Sequence, residues 1–122
     1  MTFKEKKINE VRVLTIKGNL MGGTDTQELR DRIDELLDEN VSEIVFDLGK
    51  VKWINSVGLG TLIACYTSVV NKNGSIRLAR LTKKVKSIMI ISQIIKVFKN
   101  YETVDEAVKS FDEELVEEDM TV

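Results

Sequence analysis

The sequence predicts an α/β domain: a mainly parallel, mixed sheet of four to five strands, opened by an antiparallel strand or hairpin, with about four helices packed against it. Three observations lead there. Apolar and polar residues alternate at 11–17 (VRVLTIK) and 75–80 (SIRLAR), the pattern of half-buried strands. The short apolar run EIVFDL at 43–48 is what a strand buried on both faces presents. Helical periodicities lie between these segments, and strands alternating with helices pair in parallel through crossovers.

Taken in order, Thr2 to Ile8 forms a strand paired with 11–17, with Asn9-Glu10 as the tight turn. Gly18 ends the second strand, and Gly22-Gly23 makes a flexible loop. Thr24 followed three residues on by Gln27 is a helix-start signature. Leu29, Ile33, Leu36 and Leu37 then share one apolar face, with Glu28, Asp31, Asp34 and Glu35 over much of the other. After the strand at 43–48, a loop over 49–55 delivers the chain to Ser56. Val57 to Val70 is almost continuously apolar, a helix buried on most sides, and Gly74 after Asn73 suits a left-handed cap. Thr82 to Lys86 starts a basic helix that runs into Ile88 to Ile91, and Lys96-Val97-Phe98 forms a last short strand. Thr103, with Glu106 three residues on, caps a closing helix that reaches Phe111. The expected core is Val13, Ile16, Leu29, Ile33, Val45, Phe46, Leu62, Ile63 and Ile88.

A chain of 122 residues supports one domain with one core, here residues 1–111, followed by an acidic tail at 112–122. The tail holds six acidic side chains and no basic one, while the preceding 111 residues hold 18 basic and 14 acidic, so a body of +4 carries a tail of −6. Such a tail is expected to be flexible, or to lie against Lys83, Lys84 and Lys86 through a weak, salt-screened contact. The body is too weakly basic for a nucleic-acid-binding domain. No apolar run approaches the roughly 18–20 residues of a membrane span, and the N-terminal MTFKEKK lacks the apolar core of a signal peptide. The single Cys65 forms no intramolecular disulfide and suits a small core position; the chain reads as cytoplasmic. There is no histidine, which removes the commonest general base and the commonest metal ligand. Neither metal nor cofactor is expected, and the chain does not read as an enzyme.

The segment WINSVGLGTL, residues 53–62, is the most informative stretch. A polar pair, Asn55-Ser56, stands where a buried strand gives way to a helix, the place for a capping side chain worth about 1 kcal/mol. Gly58 and Gly60 each cost a helix about 1 kcal/mol relative to Ala, so something approaches the backbone closely here. The pair is not a dinucleotide fingerprint, because Ile63 stands where the third glycine belongs. Ser56 is therefore either a cap or a residue on which the protein is switched.

DLGKVKWINSVGLGTLIACY resembles the signature of the STAS domain, the fold of bacterial anti-sigma factor antagonists, which reads Asp-Ser-(Ser/Thr/Ala)-Gly-Leu-Gly at this point. VLTIKGNL resembles the family's second strand with its Gly-x-Leu exit, and KKVKSIMIISQIIKVFKNYETVDEAV its third helix, turn, last strand and final helix. The likeness covers about residues 4–110. It implies an anti-sigma factor antagonist that binds an anti-sigma factor doubling as a serine kinase and so frees a sigma factor. Phosphorylation of the motif serine stops that binding, and a metal-dependent phosphatase restores it. The family's phosphorylated serine falls on Ser56, and its Gly-Leu-Gly on Gly58, Leu59 and Gly60. Two positions depart from the pattern: Asn55 replaces an acidic residue, and Met21 replaces an Asp that often contacts the kinase. The expected partner surface comprises Gly18, Leu20, Met21, Gly22, Gly23 and Thr24 on one segment and Asn55, Ser56, Val57, Gly58, Leu59 and Gly60 on the other. The alternative is a STAS scaffold subunit of a signalling assembly or lipid-transport system, with Ser56 only a cap.

Overall fold

A lysine-rich edge strand, β1 (Thr2–Ile8), turns through Asn9 at φ 54° into β2 (Val11–Leu20), and the two pair antiparallel from Thr2↔Lys17 to Ile8↔Val11. The structure, a computed structural model, describes residues 1–121, with side chains through Asp112. From β2 onward strand and helix alternate: α1 (Thr24–Asp38), β3 (Glu43–Ile54), α2 (Ser56–Asn71), β4 (Ser75–Ala79), α3 (Lys83–Ile91), β5 (Lys99–Tyr101) and α4 (Val104–Thr121). The sheet order is β1-β2-β3-β4-β5, with every pair after the first parallel.

Each crossover steps one strand in the same direction, so right-handed connections place α1, α2 and α3 on one face of the sheet. The pleat sorts the side chains accordingly. Leu14, Ile16, Ile44, Phe46, Leu48, Ile76 and Leu78 join Leu29, Ile33, Leu36, Leu62, Cys65 and Met89 in the main core. Alternate positions Val11, Val13, Val45 and Ala79 pack under Ala107, Val108 and Phe111 of α4 on the opposite face. Of the expected core, Val13, Ile16, Leu29, Ile33, Val45, Phe46 and Leu62 are buried, whereas Ile63 and Ile88 are only partly so and flank the core. Burial pushes the Cys65 thiol up to about 12, so it is neutral and unreactive at physiological pH.

The structure corrects several local expectations. The loop foreseen at 49–55 is strand as far as Ile54, with irregular pairing to β2 between Thr15 and Lys17 and between Gly18 and Asn19. The Thr24–Gln27 capping pair does not form: the N-cap of α1 is Gly23, at φ 94°, and Gln27 donates instead to Asp31 at 2.9 Å. The left-handed residue after α2 is Asn73, at φ 62°, not Gly74. The last strand is Lys99–Tyr101; Ile94–Lys96, where that strand was expected to begin, is a 3-10 turn that follows a left-handed Gln93. Thr103 does cap α4, accepting from the backbone N–H of Glu106 at 3.1 Å, but the helix continues past Phe111 to Thr121. The tail expectation for 112–122 falls, beyond Asp112, on side chains outside the described residues.

A bidentate ion pair fastens α1 to the edge strand: Arg32 Nε and Nη2 donate to the two Glu5 oxygens at 2.6 and 2.9 Å, and Arg12 adds a third bond at 3.2 Å. The Arg32 hydrogen bonds hold the Glu5 carboxyl below the usual carboxylate range. Its charged form is thus favoured by folding, and that stability is present above the unfolded pKa and lost as pH falls through the folded one. Glu5→Gln should cost about 0.5–1 kcal/mol at pH 7 in urea unfolding, a difference that closes below roughly pH 4. Ile33, 1% exposed, gives the core test. Ile33→Ala should lose about 2–5 kcal/mol by the same measurement, and a loss well under 1 would show that the site collapses around the smaller side chain.

Candidate functional site

The site is a joint between two strand ends and a helix start. Leu20 ends β2 directly opposite Ile54, which ends β3. Asn55 follows, extended at φ −107°, ψ −176°, and is the N-cap of α2: its side chain accepts from the Gly58 N–H at 2.9 Å. Its carboxamide nitrogen donates to the Met21 carbonyl at 3.3 Å, and its backbone N–H to the Leu20 carbonyl at 3.3 Å. One residue therefore binds the exit of β2 to the first turn of α2. Gly58 completes the joint, because a Cβ there would run into the carbonyl oxygen of Leu20. That is the close approach the glycine implied.

Ser56 is consequently not the cap. It is the first residue of α2, exposed, and among the described residues its hydroxyl has no hydrogen-bond partner. Its N–H and that of Val57 precede the first helical bond, Leu59 N–H to Asn55 carbonyl at 2.9 Å, and point out of the helix start.

Of the other expected contact residues, Met21 (47% exposed), Gly22, Gly23 and Thr24 do come to this surface beside Val57 (57% exposed) and the exposed Gly60. Val57 packs onto Gly22, where a Cβ would lie 2.7 Å from Val57 Cγ1. Leu20, Gly58 and Leu59 are buried and hold the joint from beneath. Gly18 is half-buried, paired with Val51 farther down the strand.

The expectation that Trp53 and Ile54 make a buried approach to the turn holds for Ile54, 1% exposed, but not for Trp53, which is a surface residue. It sits two residues before the cap, 39% exposed, and Lys84 at the start of α3 places its ammonium 4.5 Å from the ring centroid. The lone tryptophan immediately before the motif was the available signal. A second polar arrangement at this edge is internal. The Asp47 carboxylate, 6% exposed, accepts from Arg80 Nε at 2.8 Å, the Gly49 N–H at 3.0 Å and Thr15 Oγ1 at 3.4 Å. With three donors it is a satisfied buried charge. Among the described residues no helix is long and apolar enough to cross a membrane.

Comparison with known proteins agrees with this architecture. A protein of Thermotoga neapolitana, named as an anti-sigma factor antagonist homologue, is 28% identical over 76 residues, which are 62% of this chain and 67% of its own. The crystal structure of a protein named as an anti-sigma factor antagonist, from Thermotoga maritima, superposes with a TM-score of 0.81 at 23% identity, covering 88% of this chain and 92% of the other. The Bacillus cell fate determinant SpoIIAA in its phosphorylated form superposes with a TM-score of 0.71 at 15% identity, covering 90% and 99%. The model of the STAS domain matches residues 3–107, nearly the whole described body, and the chain belongs to that family.

Proposed function

We propose that this chain is an anti-sigma factor antagonist whose Ser56 surface binds an anti-sigma factor, and that phosphorylation of Ser56 by that partner switches the binding off. The observation that carries the reading is the separation of tasks at the start of α2: Asn55 caps the helix, leaving the Ser56 hydroxyl exposed and unpartnered. A serine without structural work at the head of a helix is available to a kinase. A phosphate there meets the N–H groups of Ser56 and Val57 and the positive end of the helix dipole, so the fold accepts it. The same group adds about two negative charges to a small surface built from Met21, Gly22, Val57 and Gly60, which opposes docking. In this reading Ser56 is a substrate, and a phosphatase would restore the binding form. The neutral Met21 and Asn55, where relatives of this fold commonly carry acids, favour a second reading, constitutive binding as a scaffold subunit.

Each anti-sigma factor of the source organism, purified and tested singly, decides between them. Incubation with ATP should add one phosphate to the wild type by intact mass, and none to Ser56→Ala. Ser56→Asp should lose binding while melting like the wild type. The cap assignment adds a stability contrast. Ser56→Ala should stay within about 0.5 kcal/mol of wild type, whereas Asn55→Ala should lose about 1 kcal/mol or more. Unchanged binding by Ser56→Asp, with no phosphate gained by the wild type, would leave the scaffold reading in possession.

A further inference from the structure

We infer that the lysine-lined groove beside Ser56 is a docking groove for an acidic segment of the partner protein. The inference rests on the reading of the Ser56 surface as a partner-binding face. Over the paired segments 17–19 of β2 and 49–52 of β3 lies an open concavity of about 500 Å3, lined by Lys17, Lys50 and Lys52 and bordered by Thr82, the N-cap of α3. Lys17 and Lys50 are direct cross-strand partners. Like charges facing one another in this way destabilise a sheet. Lys52 sits at the irregularity where Gly18 pairs with Val51 and Asn19 with Trp53, so it projects from the sheet unpaired. Lys83 and Lys84 follow Thr82 directly. Among the described residues none of these five lysines belongs to an ion pair, although the chain carries more acids than bases.

The groove and the Ser56 turn share a strand: three residues separate Lys52 from Ser56, and Asn19, which lines the groove, pairs with Trp53. Lys52 precedes Trp53, the ring lies under Lys84, and Asn55 comes two residues later. Met21, Trp53 and Val57, all exposed, lie on the segments that meet at the Asn55 joint, and exposed apolar residues with charged neighbours are what a protein interface presents. Tryptophan is also the residue type most often found at the energetic centre of one. The two positions where this chain departs from the family pattern, Met21 and Asn55, remove carboxylates that would repel an acidic visitor.

Three occupants compete for the groove, and two fit poorly. The lysines are exposed, a rim rather than a buried small-anion pocket. As far as Asp112, the chain's own helix α4 runs away from the groove. α4 starts beyond β5 at the carboxyl edge, and by Asp112 it has reached Glu43, the first residue of β3, where its charge acts on that carboxyl. A partner bearing carboxylates beside an apolar anchor matches both the charge and the exposed apolar residues.

The test uses Lys50→Glu/Lys52→Glu, neither residue being part of the Asn55–Gly58 joint. Titrated against the anti-sigma factor that binds the wild type, this variant should bind about tenfold more weakly. The wild-type affinity should fall as salt is raised from low to physiological ionic strength, and the variant should show a shallower dependence. Equal affinity and equal salt dependence would overturn the groove while leaving the Ser56 reading intact. If no anti-sigma factor binds the wild type, that reading fails, and amide spectra of the labelled protein with a synthetic Glu-rich peptide decide the groove alone. Shifts at Lys17, Lys50, Lys52 and Lys84 that are absent in the variant support it. No shifts, shifts produced by inorganic pyrophosphate but not by the peptide, or concentration-dependent self-association through these residues would each overturn it.

Discussion

The carbonyl of Leu20 touches the backbone of Gly58, and the exposed surface around Ser56 depends on that contact. Any side chain at 58 would drive α2 away from the end of β2. The Asn55 carboxamide could not then reach the Gly58 N–H and the Met21 carbonyl together. Asparagine suits the position because it both accepts and donates. An aspartate could accept from Gly58 but would present only lone pairs to the Met21 oxygen. The replacement of the family's acidic residue is thus compatible with a tighter joint, one in which the cap also secures the loop leaving β2.

Much of the architecture was legible because hydrophobic period and strand order agreed. The hairpin, the apolar stripe of α1 and the buried α2 follow from periods of two and 3.6 residues. The failures share a cause, which is that pairing outside the local window decided them. Gly49, Lys50 and Lys52 give the second half of β3 the composition of a loop, yet it is strand because β2 continues beside it through two irregular steps. β5 holds three residues and borrows its identity from hydrogen bonding to β4. At the site, Asn55 and Ser56 are both good capping residues standing next to each other. Only the extended backbone of Asn55 settles which of them faces the helix interior. The family likeness aligned Leu20 with a contact segment, but the pleat turns its side chain into the core.

Two kinds of charge meet at the carboxyl edge of the sheet, and they behave differently. Asp47 is buried and balanced by three donors, so it contributes to the fold and little to the field outside. The exposed lysines on β2 and β3 work against the sheet, where Lys17 faces Lys50, and add positive charge to the surface outside it. A phosphate on Ser56 would alter the surface charge far more than it would alter the packing beneath.

The sheet's two edges set how crowded copies of the protein can become without sticking. β1 presents Lys4, Lys6 and Lys7 along an exposed seven-residue edge, and β5 at the other side offers only three residues. Charged or very short edges resist the addition of a foreign strand. Polymerisation by sheet extension is therefore disfavoured at both ends. Copies of the chain can thus reach high concentration while their sheet edges remain closed to one another.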